Sequence, residues 1–204
     1  MNKLLIATTN PGKLAEFKEF LSDLPLKLIG LVDVGIVQKA PENGTTFKEN
    51  ALMKAKIYAK LSGLPTLADD GGFEIDALGG EPGVKSHRWI SGDHEDSDED
   101  IIAYVFTRMK DIPEGKRNAQ MRLTLALVLP DGKEFFADGI VKGIVPFASA
   151  KVPANGFPFR SVLYLPEIGK FYNQHELTEA ENNRYNHRKQ ALSKLMPIIK
   201  KYLC

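Results

Sequence analysis

Residues 4–13 read Leu4-Leu5-Ile6-Ala7-Thr8-Thr9-Asn10-Pro11-Gly12-Lys13. The first four form a compact apolar run, and the rest turn polar around a proline and a glycine, so the stretch describes a buried strand ending in a polar turn. A helix follows it, with Leu14, Phe17, Leu21 and Leu24 on its apolar face and Pro25 closing it. Leu26 to Val32 reads as a second strand, and Pro41-Glu42-Asn43-Gly44 as a loop leading to a second helix. That helix is well signalled: Thr46 and Glu49 stand at capping-box spacing, and Phe47, Ala51, Ala55, Tyr58 and Ala59 supply its apolar face. Leu64-Pro65-Thr66-Leu67-Ala68 is a short strand running into Asp69-Asp70-Gly71-Gly72. Strand, helix, strand, helix, strand argues for an α/β architecture with polar turns at the strand ends.

The second half differs. An acidic segment, His94 to Asp100, leads into an amphipathic helix from Asp98 to Met109. Arg117 to Leu129 alternates around Met121, Leu123, Leu125 and Leu127, and Asp131-Gly132 signals a turn before Phe135 to Val145. These segments predict a long antiparallel hairpin forming much of a second lobe. Pro153 to Gly169 is loop-rich, Thr178 with Glu181 caps a short helix, and a final helix from His187 to Tyr202 is interrupted or bent near Pro197. No repeat or low-complexity tract interrupts residues 1–204, which are expected to form a single bilobed domain.

Composition removes several function classes. Lys and Arg number 27 against 26 Asp and Glu, a formal charge of +1, so no electrostatic argument favours a nucleic-acid or membrane partner. The one cysteine, Cys204, cannot form an intrachain disulfide, which fits a reducing compartment. The N-terminal apolar run is too short for a signal peptide, and none approaches the ~20 residues of a membrane helix. The expected address is cytoplasmic.

Four constellations carry chemistry. Thr8, Thr9, Asn10 and Lys13 at a strand-to-helix junction bring hydroxyls, free backbone N–H groups and a lysine toward phosphate oxygens, although an ordinary capped helix start explains them as well. Asp69 and Asp70 are adjacent carboxylates whose repulsion a cation would offset, and magnesium suits a site with phosphates nearby; a solvated acidic turn is the bland alternative. Glu42 is a further candidate ligand. Lys54 faces phosphate from its helix, whereas Glu49 is better explained as a cap. His187 and Arg188 open the last helix, where they suit a purine carbonyl or a phosphate, or merely the surface.

Taken in order, these segments resemble the inosine triphosphate pyrophosphatase, or non-canonical purine NTP pyrophosphatase, family. The landmarks are Thr8-x-Asn10-x-x-Lys13, Thr46-Phe47-x-Glu49-Asn50-Ala51-x-x-Lys54-Ala55, the run from Ala68 through Asp69-Asp70-x-Gly72-Phe73-Glu74 to Arg88, and His187-Arg188-x-x-Ala191-Leu192. The resemblance implies a bilobed α/β fold with a long mixed central sheet, flanking helices, an active-site cleft between the lobes, and a homodimer. It implies that Thr8, Thr9, Asn10 and Lys13 bind triphosphate and that Lys54 adds charge. It also implies that Glu42 and Asp70, with Asp69 beside them, hold Mg²⁺, and that Asp70 accepts a proton from the attacking water. Phe157, Arg160, Gly71, Asn182, His187 and Arg188 fall at substrate-facing positions.

The chain departs from that pattern where the base is read. The family's Phe-Gly-Tyr-Asp-Pro is here Phe157-Pro158-Phe159-Arg160-Ser161, reversing the charge of the acidic position. Three further family residues, two serines and a lysine, are here Gly71, Asn186 and Asn182. Arg160 either contacts substrate, or faces solvent or a carboxylate such as Glu167. The resulting expectation is a Mg²⁺-dependent hydrolase converting ITP, dITP and XTP to monophosphate and pyrophosphate. The same hydrolysis with altered base preference, and a non-catalytic nucleotide-binding protein, stand as alternatives.

Overall fold

The computed structural model describes residues 2–204, in two compact units. One comprises the chain up to Asp70, Leu123–Gly139 and Arg188–Cys204; the other comprises Gly71–Arg122 and Ile140–His187. The strands are β1 (Asn2–Ile6), β2 (Leu26–Gly30), β3 (Thr66–Ile75), β4 (Asn118–Val128), β5 (Glu134–Ile144), β6 (Tyr164–Leu165) and β7 (Lys170–Phe171). The helices are α1 (Pro11–Phe20), α2 (Phe47–Ser62), α3 (Asp98–Met109), α4 (Glu179–Tyr185) and α5 (His187–Leu203). The sheet order is β2-β1-β3-β4-β5-β6-β7. β1 pairs in parallel with β2 and β3, whereas β6 is antiparallel to β5 and β7, so the sheet is mixed, as expected.

In the first unit the sheet is covered on both faces, which explains why residues 4–7 are apolar without alternation. Leu4 and Ile6 pack with Phe17 and Leu21 beside α1 and with Leu192, Leu195 and Ile199 of α5. Leu5 and Ala7 point the other way, to Ala51, Ala55 and Tyr58 of α2. The capping box at Thr46 and Glu49 is present. α1 stops at Phe20, short of the expected Leu24, yet Leu21 and Leu24 still pack against the same core. β2 stops at Gly30, whose N–H donates to Asp33 Oδ2 at 2.8 Å, drawing the next residues into a tight helical turn, Val32–Val34, instead of extending the strand to Val32.

Further expectations are corrected. β3 does not end before Asp69-Asp70-Gly71-Gly72; all four residues lie within it. The β4–β5 hairpin, expected to form much of a second lobe, is divided: its turn end, Leu123–Gly139, is part of the first unit, and residues 118–122 and 140–144 are part of the second. The 11 residues of β4 reach about 35 Å, longer than one core requires. Leu123, Leu125 and Leu127 therefore join the α1 and α5 core, while Ala119 joins the core of the second unit. α5 continues without interruption through Pro197. No helix among the described residues is long and apolar enough to cross a membrane.

The second unit is built on Phe73, Ile75, Ile101, Val105, Met109 and Phe159, with Phe73 stacked on Phe159 at 4.9 Å between centroids. Arg117 is buried within it and gathers backbone carbonyls. Nε donates to Val145 O at 2.7 Å, Nη1 to Met109 O and Ile112 O at 2.7 and 2.8 Å, and Nη2 to Pro146 O at 3.1 Å. A cation at the C-terminus of α3 also complements the helix dipole. Arg117→Met removes the donors and leaves buried carbonyls unsatisfied, so it should lower unfolding free energy by about 2 kcal/mol in a urea titration. A change within experimental error would show that these bonds contribute nothing net.

Candidate active site

The alternation of β3 sorts the two adjacent aspartates. Leu67 faces the core of α1 and α5 while Ala68 faces α2. The strand period of two then sends Asp69 toward the first face and Asp70 toward the second. Each meets a different set of cations. The expected crowding of two carboxylates at a turn does not occur, because successive strand side chains diverge.

Asp69 is almost fully buried. Its Oδ2 lies 3.0 Å from Lys13 Nζ of α1 and accepts from Arg188 Nη2 of α5 at 3.3 Å. Arg188 Nη1 also pairs with Glu16, one turn beyond Lys13 on α1. Burial alone would raise the Asp69 carboxyl, but Lys13 and Arg188 overcome it and hold the group well below the usual carboxylate range.

Asp70 is engaged on both oxygens. Lys54 Nζ lies 2.9 Å from Oδ1, and Asn50 Nδ2 donates to Oδ2 at 3.2 Å. The same ammonium donates to Glu42 Oε1 at 2.6 Å. Asn50 and Lys54 are four residues apart on α2, hence on one helix face. Burial pushes the Asp70 carboxyl up; Lys54 opposes the shift and Glu42 adds to it. Burial would lower the Lys54 ammonium, yet Asp70 and Glu42 keep it charged and well above its ordinary value.

The loop carrying Glu42 is tied to the same asparagine, since Gly44 N donates to Asn50 Oδ1 at 2.8 Å. A Cβ at Gly44 would stand 2.7 Å from that oxygen and 2.8 Å from Glu49 Cβ, so only glycine allows this approach.

The donor chemistry bears on a metal. Glu42 and Asp70 already share one cation between two oxygens, which suits a hard divalent ion whose remaining ligands are water and phosphate. Among the described residues no group of three or more His, Cys, Asp and Glu is arranged so that it could hold a metal ion by itself. A cation would therefore need ligands beyond these two carboxylates. The ion pairs set Lys13, Lys54 and Arg188 against Glu16, Glu42, Asp69 and Asp70.

At the start of α1, Asn10 uses its own side chain as the cap, accepting from Gly12 N at 2.9 Å and Lys13 N at 3.1 Å. Asn10 N donates to Thr8 Oγ1 at 3.2 Å, and Thr9 is exposed. The capped-helix explanation thus holds locally, with Lys13 extending from the first turn to Asp69.

The remaining candidates lie in the second unit, apart from Arg188. Arg160 is 2% exposed, which overturns a solvent-facing position. Its guanidinium carbon lies 4.3 Å from the Phe157 ring centroid and 5.2 Å from that of Tyr172. Glu167 instead pairs with Arg184. Tyr172 Oη shares a 2.9 Å hydrogen bond with His187 Nδ1, so half-buried Phe157 and buried Arg160, Tyr172 and His187 form one chain of contacts. Asn186 Nδ2 donates to Asn182 Oδ1 at 3.5 Å, and Gly71 lies in β3. Sequence reading passed over Glu16, Asn50 as a contact to Asp70, and Tyr172. The first two carried a signal: Glu16 follows Lys13, and Asn50 precedes Lys54, at helical spacing.

A model described as the Ham1 family matches residues 4–198. The chain is 40% identical over 198 residues to a Thermus thermophilus protein named dITP/XTP pyrophosphatase, covering 97% of this chain and 92% of that one. It is 38% identical to a Streptomyces avermitilis protein of the same name, with both chains covered completely. Among solved structures, a HAM1 protein from Coxiella burnetii is 32% identical with a TM-score of 0.84, covering 98% of this chain and all of that one. A Mycobacterium abscessus protein described as a nucleoside-triphosphatase / dITP/XTP pyrophosphatase is 36% identical, with a TM-score of 0.75 and coverage of 96% and 99%.

Proposed function

The chain belongs to the Ham1 family, and from that premise we propose that it is a nucleoside triphosphate pyrophosphatase clearing dITP, ITP and XTP from the nucleotide pool. The observation that carries this reading is the convergence of Lys13, Lys54 and Arg188 on the adjacent carboxylates Asp69 and Asp70, with Glu42 sharing Lys54. The names of the relatives support the substrate class.

In this reading water attacks the α-phosphorus, the bond from that phosphorus to the bridging oxygen breaks, and pyrophosphate leaves with the electron pair. Asp70 accepts the proton of the water; its raised carboxyl suits a base better than an ordinary aspartate would. Lys13 and Lys54 take up negative charge developing on the phosphate oxygens. Glu42 and Asp70 would hold Mg²⁺, which supplies Lewis-acid stabilisation of the same charge. Asp69, with Lys13 and Arg188 already on its oxygen, is better read as a positioning residue than as a metal ligand.

Pyrophosphate release from ITP, dITP, XTP and the canonical triphosphates, with and without Mg²⁺, tests the proposal. Release from the first three is expected, and release from none would favour a binding protein. The burial of Arg160 against Phe157 favours a second reading, hydrolysis with altered base preference. Arg160→Gln removes the charge and should change the ratio of kcat/KM between XTP and ITP by about tenfold. An unchanged ratio would place Arg160 outside base recognition.

A further inference from the structure

Lys54 stands where the proposed function needs a divalent cation. Its Nζ lies 2.6 Å from Glu42 Oε1 and 2.9 Å from Asp70 Oδ1, and its side chain is 11% exposed. The second oxygen of Asp70 accepts from Asn50, and Asp69 is held by Lys13 and Arg188. The carboxylates of Glu42 and Asp70 therefore have an incumbent cation.

A divalent ion held by those oxygens would repel an ammonium that kept its place. The two cannot share the position.

We infer that Lys54 is a built-in stand-in for the divalent cation, so that cation binding at Glu42 and Asp70 requires Lys54 to leave them and frees its ammonium for phosphate. The inference rests on the proposed function for the identity of the phosphate ligand. Lys54 is in the interior of α2, whose start is fixed by a capping box and whose Ala51 and Ala55 are fully buried. The helix stays in place and the flexible four-carbon stem makes the move. Metal and phosphate then bind cooperatively. The divalent ion brings two positive charges to the carboxylates at the moment the lysine is released. A triphosphate arriving without the ion meets a lysine engaged elsewhere.

The test uses Mn²⁺ alone, with no nucleotide, and reads its affinity by loss of the free-ion electron paramagnetic resonance signal. Lys54→Met removes the incumbent and should bind Mn²⁺ at least tenfold more tightly than wild type. Lys54→Arg, which keeps a cation on the carboxylates, should stay near wild type. Equal or weaker Mn²⁺ binding by a folded Lys54→Met protein would overturn the inference. A second measurement needs no variant: in the wild-type protein, acylation of Lys54 followed by mass spectrometry should rise several-fold when Mg²⁺ is added. No rise would also overturn it. Pyrophosphate release from ITP by the same wild-type preparation reads the proposed function separately. Release without these metal effects defeats only the stand-in role, and the metal effects without release defeat only the proposed function.

Discussion

Asp70→Asn is expected to reduce pyrophosphate release from ITP by about 10³-fold while leaving a folded protein. The substitution keeps the side-chain volume, so the cores around β3 need not repack. It removes the negative charge that Lys54 meets at 2.9 Å and the group proposed to accept a proton from water. An amide can still receive the hydrogen bond from Asn50 through its oxygen, which is why the fold should survive. Measured turnover within a few-fold of wild type would remove Asp70 from both proposed roles. The loss should fall on kcat, because the missing proton acceptor acts in the transition state rather than in binding.

Asp69→Asn is expected to behave differently, as a loss of stability of about 3 kcal/mol. Lys13 and Arg188 converge on one buried carboxylate, and neutralising it leaves the two cations facing each other without it. Urea denaturation of the two variants side by side separates the cases: Asp70→Asn near wild type, Asp69→Asn with a clearly lower midpoint. Equal midpoints would show that the Asp69 cluster is not stabilising. The pH dependence has a definite sign. The folded Asp69 carboxyl is held below its ordinary value, so its contribution is complete above the ordinary carboxylate range, near pH 4, and is lost as pH falls through the lower folded value. Wild type should therefore lose stability in acid that the Asp69→Asn protein has already lost at neutral pH.

Much of the first unit was legible in the sequence because its signals are local. The apolar run at Leu4, the capping box at Thr46 and Glu49, and the turn at Asp131-Gly132 each specify structure within a few residues. The bounds of α3, Asp98–Met109, could be read directly from its amphipathic pattern. What escaped was set by tertiary pairing. Asp69-Asp70-Gly71-Gly72 has the composition of a turn, yet β3 continues through it, and local propensity has no knowledge of that. The assignment of the hairpin's turn end to the first unit depends on which helices wait for Leu123, Leu125 and Leu127. In the site, residue types could be named but not paired: Arg188 meets Glu16, 172 positions earlier, and Asp69, 119 positions earlier. Arg160 was open between solvent and interior because an isolated arginine in a loop-rich segment carries no periodicity to place it.

The placement of Asp69 and Asp70 on opposite faces of β3 has a consequence for how this gene can change. Either acid can be replaced and the damage stays with its own partners. Deleting one codon between Thr66 and Ala68 while pairing with β1 is kept would be far worse, although every acidic and basic residue would survive. The two carboxylates would change sides: Asp70 would fall where Asp69 meets Lys13 and Arg188, Asp69 would take the place of Ala68, and Gly71 would stand opposite Lys54, yet an alignment would still find the motif whole. Insertions and deletions in this segment should accordingly be purged more strictly than substitutions, for the spelling of β3 is read by parity as well as by letter.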